Sequence, residues 1–102
     1  MITYYQLQKR INDLTHQIIP QDINFTTIHS SKIDVLKWCC LENEQLRTEQ
    51  EILNRIQRYN EELLAFNDDK NLMYKQTRAR IEELNNVIHT PWTMESKGNE
   101  RV

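Results

Sequence analysis

From Gln21 to Thr90 the chain runs without a glycine or a proline. These two residues are the strongest local breakers of regular structure. The single glycine is Gly98, and the prolines are Pro20 and Pro91. Few β-branched residues follow Val35, so the interior reads as long helix. Chain length allows one domain at most, and a core of that size buries only ~60–65% of the unfolded surface. Hydrophobic residues make up 38% and charged residues 27%. Such a polar composition suits long helices with a narrow apolar seam, or a subunit that completes its core with a partner.

Apolar spacing places the helices. Leu7, Ile11, Leu14 and Ile18, extended by Tyr4, lie on one face of a helix over about 3–18. Pro20 ends it. Residues 21–30 read as a connector lying on the helices, with Phe25 tucked beneath it; a short strand paired with its copy in another subunit is the alternative. Ser31 and Asp34 carry a helix-start signal. From there no stop signal is apparent until Asn67, which predicts a helix over about 31–66. Its first seam is Ile33, Leu36 and Cys40, widened by Val35 and Trp38. Its second is Ile52, Ile56, Tyr59, Leu63 and Phe66, at coiled-coil spacing and broadened by Leu53 and Leu64. A further helix over about 70–89 carries Tyr74, Thr77, Ile81, Leu84 and Ile88.

Residues 67–71 either turn or continue as one rod. Folded back about Asp68 and Asp69, the apolar rows coincide, with Ile56 facing Ile81, Leu63 facing Tyr74, Leu53 facing Leu84 and Arg78 over Tyr59. The rod puts Lys70 in its seam and fits less cleanly. The expected architecture is therefore all-α: a long antiparallel, coiled-coil-like hairpin with an additional N-terminal helix, together one helical domain over 1–90. Residues 91–102 form a C-terminal tail without periodicity, in which Trp92 is expected to pack back on the hairpin.

Little chemistry is legible. One glycine excludes a phosphate-binding loop. His16, His29 and His89 stand apart and read as surface or loop histidines. Cys39 and Cys40 are adjacent, so they neither bond to each other on a helix nor offer zinc-ligand spacing; they read as reduced core residues. Helical nucleotide pyrophosphatases hold magnesium with Glu-Glu-x-x-Glu followed downstream by Glu-x-x-Asp. Here Glu61-Glu62-Leu63-Leu64 is followed by Ala65, and Glu83-Leu84-Asn85 by Asn86, so the terminal acids are missing. Glu51 reads as a helix-supporting partner of Arg55. No catalytic residue, cofactor or metal is expected.

Thirteen basic and fifteen acidic residues give a net charge of −2, without general attraction to nucleic acid or anionic membrane. Lys70, Lys75, Arg78 and Arg80 read as an ordinary charged face. No apolar run reaches the ~18–20 residues of a membrane span, and the N-terminus lacks the regions of a secretory signal; a cytoplasmic protein is expected. The expected function is a non-enzymatic protein–protein interaction module: a self-associating adaptor, assembly factor or inhibitor, in the style of viral and phage accessory proteins. Self-association is expected because the polar stretch around Leu46 would otherwise be a bare helix. The alternative is a small-ligand or nucleotide-binding module at a subunit interface. Candidate partner or ligand contacts are Tyr4, Tyr5, Phe25, Lys32, Trp38 and Trp92.

Overall fold

The structure, a computed structural model, describes residues 1–90; the tail and the expectation for Trp92 lie outside them. Among the described residues, four helices carry most of the length: α1 (Tyr4–His16), α2 (Ile23–Trp38), α3 (Glu49–Leu63) and α4 (Leu72–His89). Between α2 and α3 lies a small antiparallel pair, β1 (Cys40–Leu41) and β2 (Gln45–Leu46), in the register Cys40 to Leu46 and Leu41 to Gln45.

Each helix begins at a side chain that satisfies its free N–H groups. Thr3 and Gln6 close a reciprocal capping box on α1, and Thr48 and Glu51 do so on α3. Asp22 accepts from the Phe25 N–H at 3.0 Å to start α2, and Asn71 accepts from Met73 at 2.8 Å to start α4.

Two expectations are overturned here. Residues 23–30 are helical and belong to α2, so they are neither a connector nor a strand. Asp22 is the start signal, and Ser31 sits buried within the helix. There its hydroxyl donates to the Thr27 carbonyl and accepts from Gln76 and Arg80 of α4. A helix on two partners profits from apolar and small residues on both flanks, which outweighs the β-branched run Thr26-Thr27-Ile28. Nor is there one helix over 31–66. It stops at Cys39 and restarts at Thr48. A continuous helix would hold residues 42–48 in solvent with only Leu46 to bury. The two-strand turn instead packs Leu46 against the core. Asn43 and Glu44 adopt φ of 62° and 59°. Asparagine tolerates that region, but glutamate is disfavoured by roughly 1–2 kcal/mol. Tyr5 helps hold it by donating from its hydroxyl to Glu44 Oε1 at 2.8 Å. The bare polar helix that motivated self-association is therefore not formed.

α2 is central, packing on α1 and α4, and α4 also packs on α3. The core contains Leu7, Ile11 and Leu14 of α1, Ile33, Val35 and Leu36 of α2, and Cys39. From α3 and α4 it takes Ile52, Ile56, Ile81, Leu84, Val87 and Ile88. Leu53 and Leu64, expected to broaden the α3 seam, are 40% and 86% exposed. Arg80, not Arg78, lies over Tyr59, at 5.8 Å, and Phe66 meets Tyr74 edge-on at 6.0 Å. Against the expected pairing, this register is displaced by two residues at Tyr59, and Leu53 lies to the side of the Ile52–Ile56–Tyr59–Leu63 face.

Like Ser31, Glu83 and His29 are buried polar groups without a counterpart in the apolar pattern. Glu83 is 3% exposed and accepts a two-pronged contact from Arg10, Nη2 at 2.8 Å and Nε at 3.1 Å, linking α4 to α1. The pair borders a small cavity of about 190 Å³ with Ile2, Leu7, Leu36 and Val87 in its walls. His29, expected at the surface, is buried on α2. Its ring stacks on Phe25 at 4.0 Å, and its Nε2 lies 3.2 Å from Gln17 Oε1 at the end of α1. Nδ1 has no partner among the described residues. Burial, reinforced by the positive charges of Lys32 and Arg10, pushes the His29 pKa below its ordinary value.

Candidate functional site: an arginine–aromatic face

Trp38 ends α2, where the chain must leave the helix to form the β turn. Arg47 follows that turn, and Arg55 and Arg58 lie one and two turns into α3. Positions 47, 51, 55 and 58 recur at spacings of four, four and three, which places them along one side of α3 and its lead-in. The fold brings that row against Trp38. The Arg47 guanidinium carbon stands 4.4 Å from the centre of the Trp38 ring and that of Arg55 stands 4.5 Å away. The two like charges are thus no further apart than the sum of those distances. Each such contact contributes about 0.5–1 kcal/mol at an exposed site. The mutual repulsion costs about half a kcal/mol in a water-like medium. The rings hold the cations in place, and the concentrated charge remains available.

Hydrogen bonds fix this arrangement further. Arg47 Nε donates to the Trp38 carbonyl at 2.6 Å, tying the end of α2 to the start of α3. Arg47 Nη1 lies 3.6 Å from Glu51 Oε2. Glu51 pairs with Arg47 and not with Arg55, as the helical spacing had implied. Its other carboxylate oxygen takes the Thr48 N–H at 2.9 Å. The Thr48 backbone and side chain, followed by Arg47, hold the Glu51 carboxyl below its ordinary pKa, so it is ionised at neutral pH and occupied at both oxygens. Arg55 and Arg58 have no carboxylate within 4 Å among the described residues. Arg55 also approaches Tyr59 at 6.0 Å, and Arg80 lies on that ring as well. The result is a ladder of alternating cations and rings: Arg47, Trp38, Arg55, Tyr59 and Arg80.

Beside the ladder is an open depression of about 360 Å³ lined by Trp38, Arg47, Glu51, Asn54, Arg55 and Arg58. Its chemistry suits an anion. The guanidinium groups present planar, multidentate donors, and they cover Trp38 so that a flat base cannot stack on the ring without displacing them. Among the described residues no group of three or more histidine, cysteine, aspartate or glutamate side chains is placed to hold a metal ion. No described helix is long and apolar enough to cross a membrane.

Of the candidate contacts read from the sequence that lie among the described residues, Trp38 alone lines this depression. Tyr4 and Tyr5 meet edge-on at 5.7 Å, and Tyr5 reaches Glu44 of the turn. Phe25 stacks on His29, and Lys32 is half-buried on α2. These residues do not converge in one cleft with Trp38. Arg47, Arg55 and Arg58 are not among those candidate contacts. With Glu51 they form a 4-4-3 row that is visible in the sequence, but its meaning depends on a turn that carries Arg47 back to Trp38. The chain matches no family model, no curated protein and no solved structure, so the functional reading rests on this site and not on kinship.

Proposed function

We propose that the protein is a non-enzymatic interaction module, an adaptor, assembly factor or inhibitor, that takes a partner protein on its arginine–aromatic face. The observation that carries this reading is Trp38, half-buried at the edge of the core with two guanidinium groups on its ring. Tryptophan, tyrosine and arginine dominate the energetics of protein interfaces, and here all three share one open face. In this reading α3 and α4 form an antiparallel helical hairpin that acts as the scaffold, supported by the Phe66–Tyr74 and Tyr59–Arg80 contacts on either side of the connector.

The test is site-directed blockage. Asn54 is exposed and lines the depression, so Asn54→Trp fills it without touching the core. Glu82→Trp, on an exposed position of α4, is the control. Partner capture from the native host should be retained by wild type and Glu82→Trp and abolished by Asn54→Trp, with helical content unchanged. Equal capture by all three would refute the face as the working surface.

A further inference from the structure

Resting on that reading, we infer that the segment docking on this face is rich in carboxylates, an acidic stretch of a partner protein gripped by Arg55 and Arg58 with Arg47 beside them. Charge complementarity carries the inference. Three arginines border the depression, Arg47, Arg55 and Arg58, while Arg80, half-buried and donating to Ser31, lies further along the ladder. The carboxylate among them is Glu51, whose oxygens are already taken by Thr48 and Arg47. Arg55 and Arg58 are left without an ionic partner among the described residues, although the whole chain is slightly acidic. The positive face is therefore a local feature of folding and not a reflection of composition.

Geometry favours carboxylates over a nucleic-acid strand. A single-stranded nucleic acid gains its sequence-tolerant affinity by stacking bases on exposed rings within a groove that tracks the backbone. Here two guanidinium groups sit on the Trp38 ring, and Arg55 and Arg80 approach Tyr59. The rings serve as platforms for cations. A guanidinium held on a ring keeps its in-plane N–H donors directed outward, where a carboxylate accepts two of them at once. Arg55 and Arg58 are three residues apart on α3, so their stems lie about 5–6 Å apart. That spacing suits carboxylates three or four residues apart on a partner helix, or alternate residues of an extended segment.

The test uses defined probes and a built-in reporter. The chain has two tryptophans, and Trp92→Phe leaves Trp38 as the sole one. In that background, a synthetic glutamate-rich peptide should change Trp38 fluorescence saturably at low salt. A glutamine-for-glutamate peptide of the same length should not. Arg55→Gln and Arg58→Gln should each weaken the glutamate peptide about threefold, and together about tenfold, the range of exposed ion pairs. Raising the salt should erase binding.

Absence of peptide binding at low salt, or equal binding by the doubly substituted protein, overturns the inference. So does saturable binding of inorganic phosphate or oligothymidylate without binding of the peptide. A dimer that Asn54→Trp dissolves would identify a second copy as the occupant and overturn it too. The broader reading fails separately. Partner capture lost in Asn54→Trp but kept in Arg55→Gln/Arg58→Gln refutes the carboxylate assignment alone, whereas capture kept in both refutes the face itself.

Discussion

Replacing Arg10 by methionine isolates the cost of burying Glu83 without its partner. The Arg10 side chain is 39% exposed and that of Glu83 is 4% exposed. Methionine preserves most of the apolar stem of Arg10, so the loss is mainly electrostatic. Removing one member of a fully buried pair costs about 3–5 kcal/mol. Water reaches Arg10 here, so the expected cost is about 2–3 kcal/mol, a drop in Tm of about 10–20 °C for a domain of this size. Glu83→Met places an apolar chain beside Leu7, Leu36 and Val87, while Arg10 turns to solvent; this variant should lose only about 1 kcal/mol. The double variant should resemble Glu83→Met alone, giving a coupling of about 2 kcal/mol in a double-mutant cycle of urea unfolding. Arg10→Met within about 0.5 kcal/mol of wild type, or simple additivity, would refute the view that Glu83 depends on Arg10.

Further outcomes follow from burial and protonation. Ile56→Asp should place an unpaired charge in the core and cost several kcal/mol, enough to unfold a marginal domain, whereas Glu49→Ala on the exposed first turn of α3 should stay within about 0.5 kcal/mol by thermal melting. Because the folded pKa of His29 is lowered from 6.5, the unfolded chain takes up a proton there that the folded chain resists. Stability should be full above pH 6.5 and decline as pH falls below it, and His29→Gln should flatten that decline in urea midpoints. The Cys39 thiol is fully buried and pushed up to about 12 by burial. Cys40 is half-buried, with its sulfur 3.3 Å from Gln8 Nε2. A thiol reagent at about pH 8 should therefore spare Cys39 until unfolding, and rapid native labelling of both thiols would contradict this placement.

Local pattern alone determined the helical character of this chain. The absence of glycine and proline from Gln21 to Thr90 removed the usual breakers. The rows Leu7–Ile11–Leu14, Ile52–Ile56 and Ile81–Leu84–Ile88 marked faces that are buried in the structure. Such rows are legible because burial repeats with the turn of the helix that carries it. The restart at α3 was also written locally, in the capping box Thr48-Glu49-Gln50-Glu51, as the start of α2 was at Asp22. Those signals were outweighed by the lack of any glycine or proline at the turn itself. Asn43 and Glu44 make that turn without glycine, with Glu44 anchored by Tyr5 from 39 residues away.

Tertiary structure decided the rest. Whether Glu83, Ser31 and His29 are buried depends on Arg10, Gln76, Arg80 and Gln17, all from other segments of the chain. Which arginine lies on Tyr59 depends on the register of α4 against α3. The arginine–aromatic face exists only because the β turn brings Arg47 back over the end of α2 while α3 presents Arg55 to the same ring. Cation–ring contacts and ion pairs act over a few ångströms through space. Residues 38, 47 and 55 share no periodic pattern that would announce them as neighbours before the chain has folded.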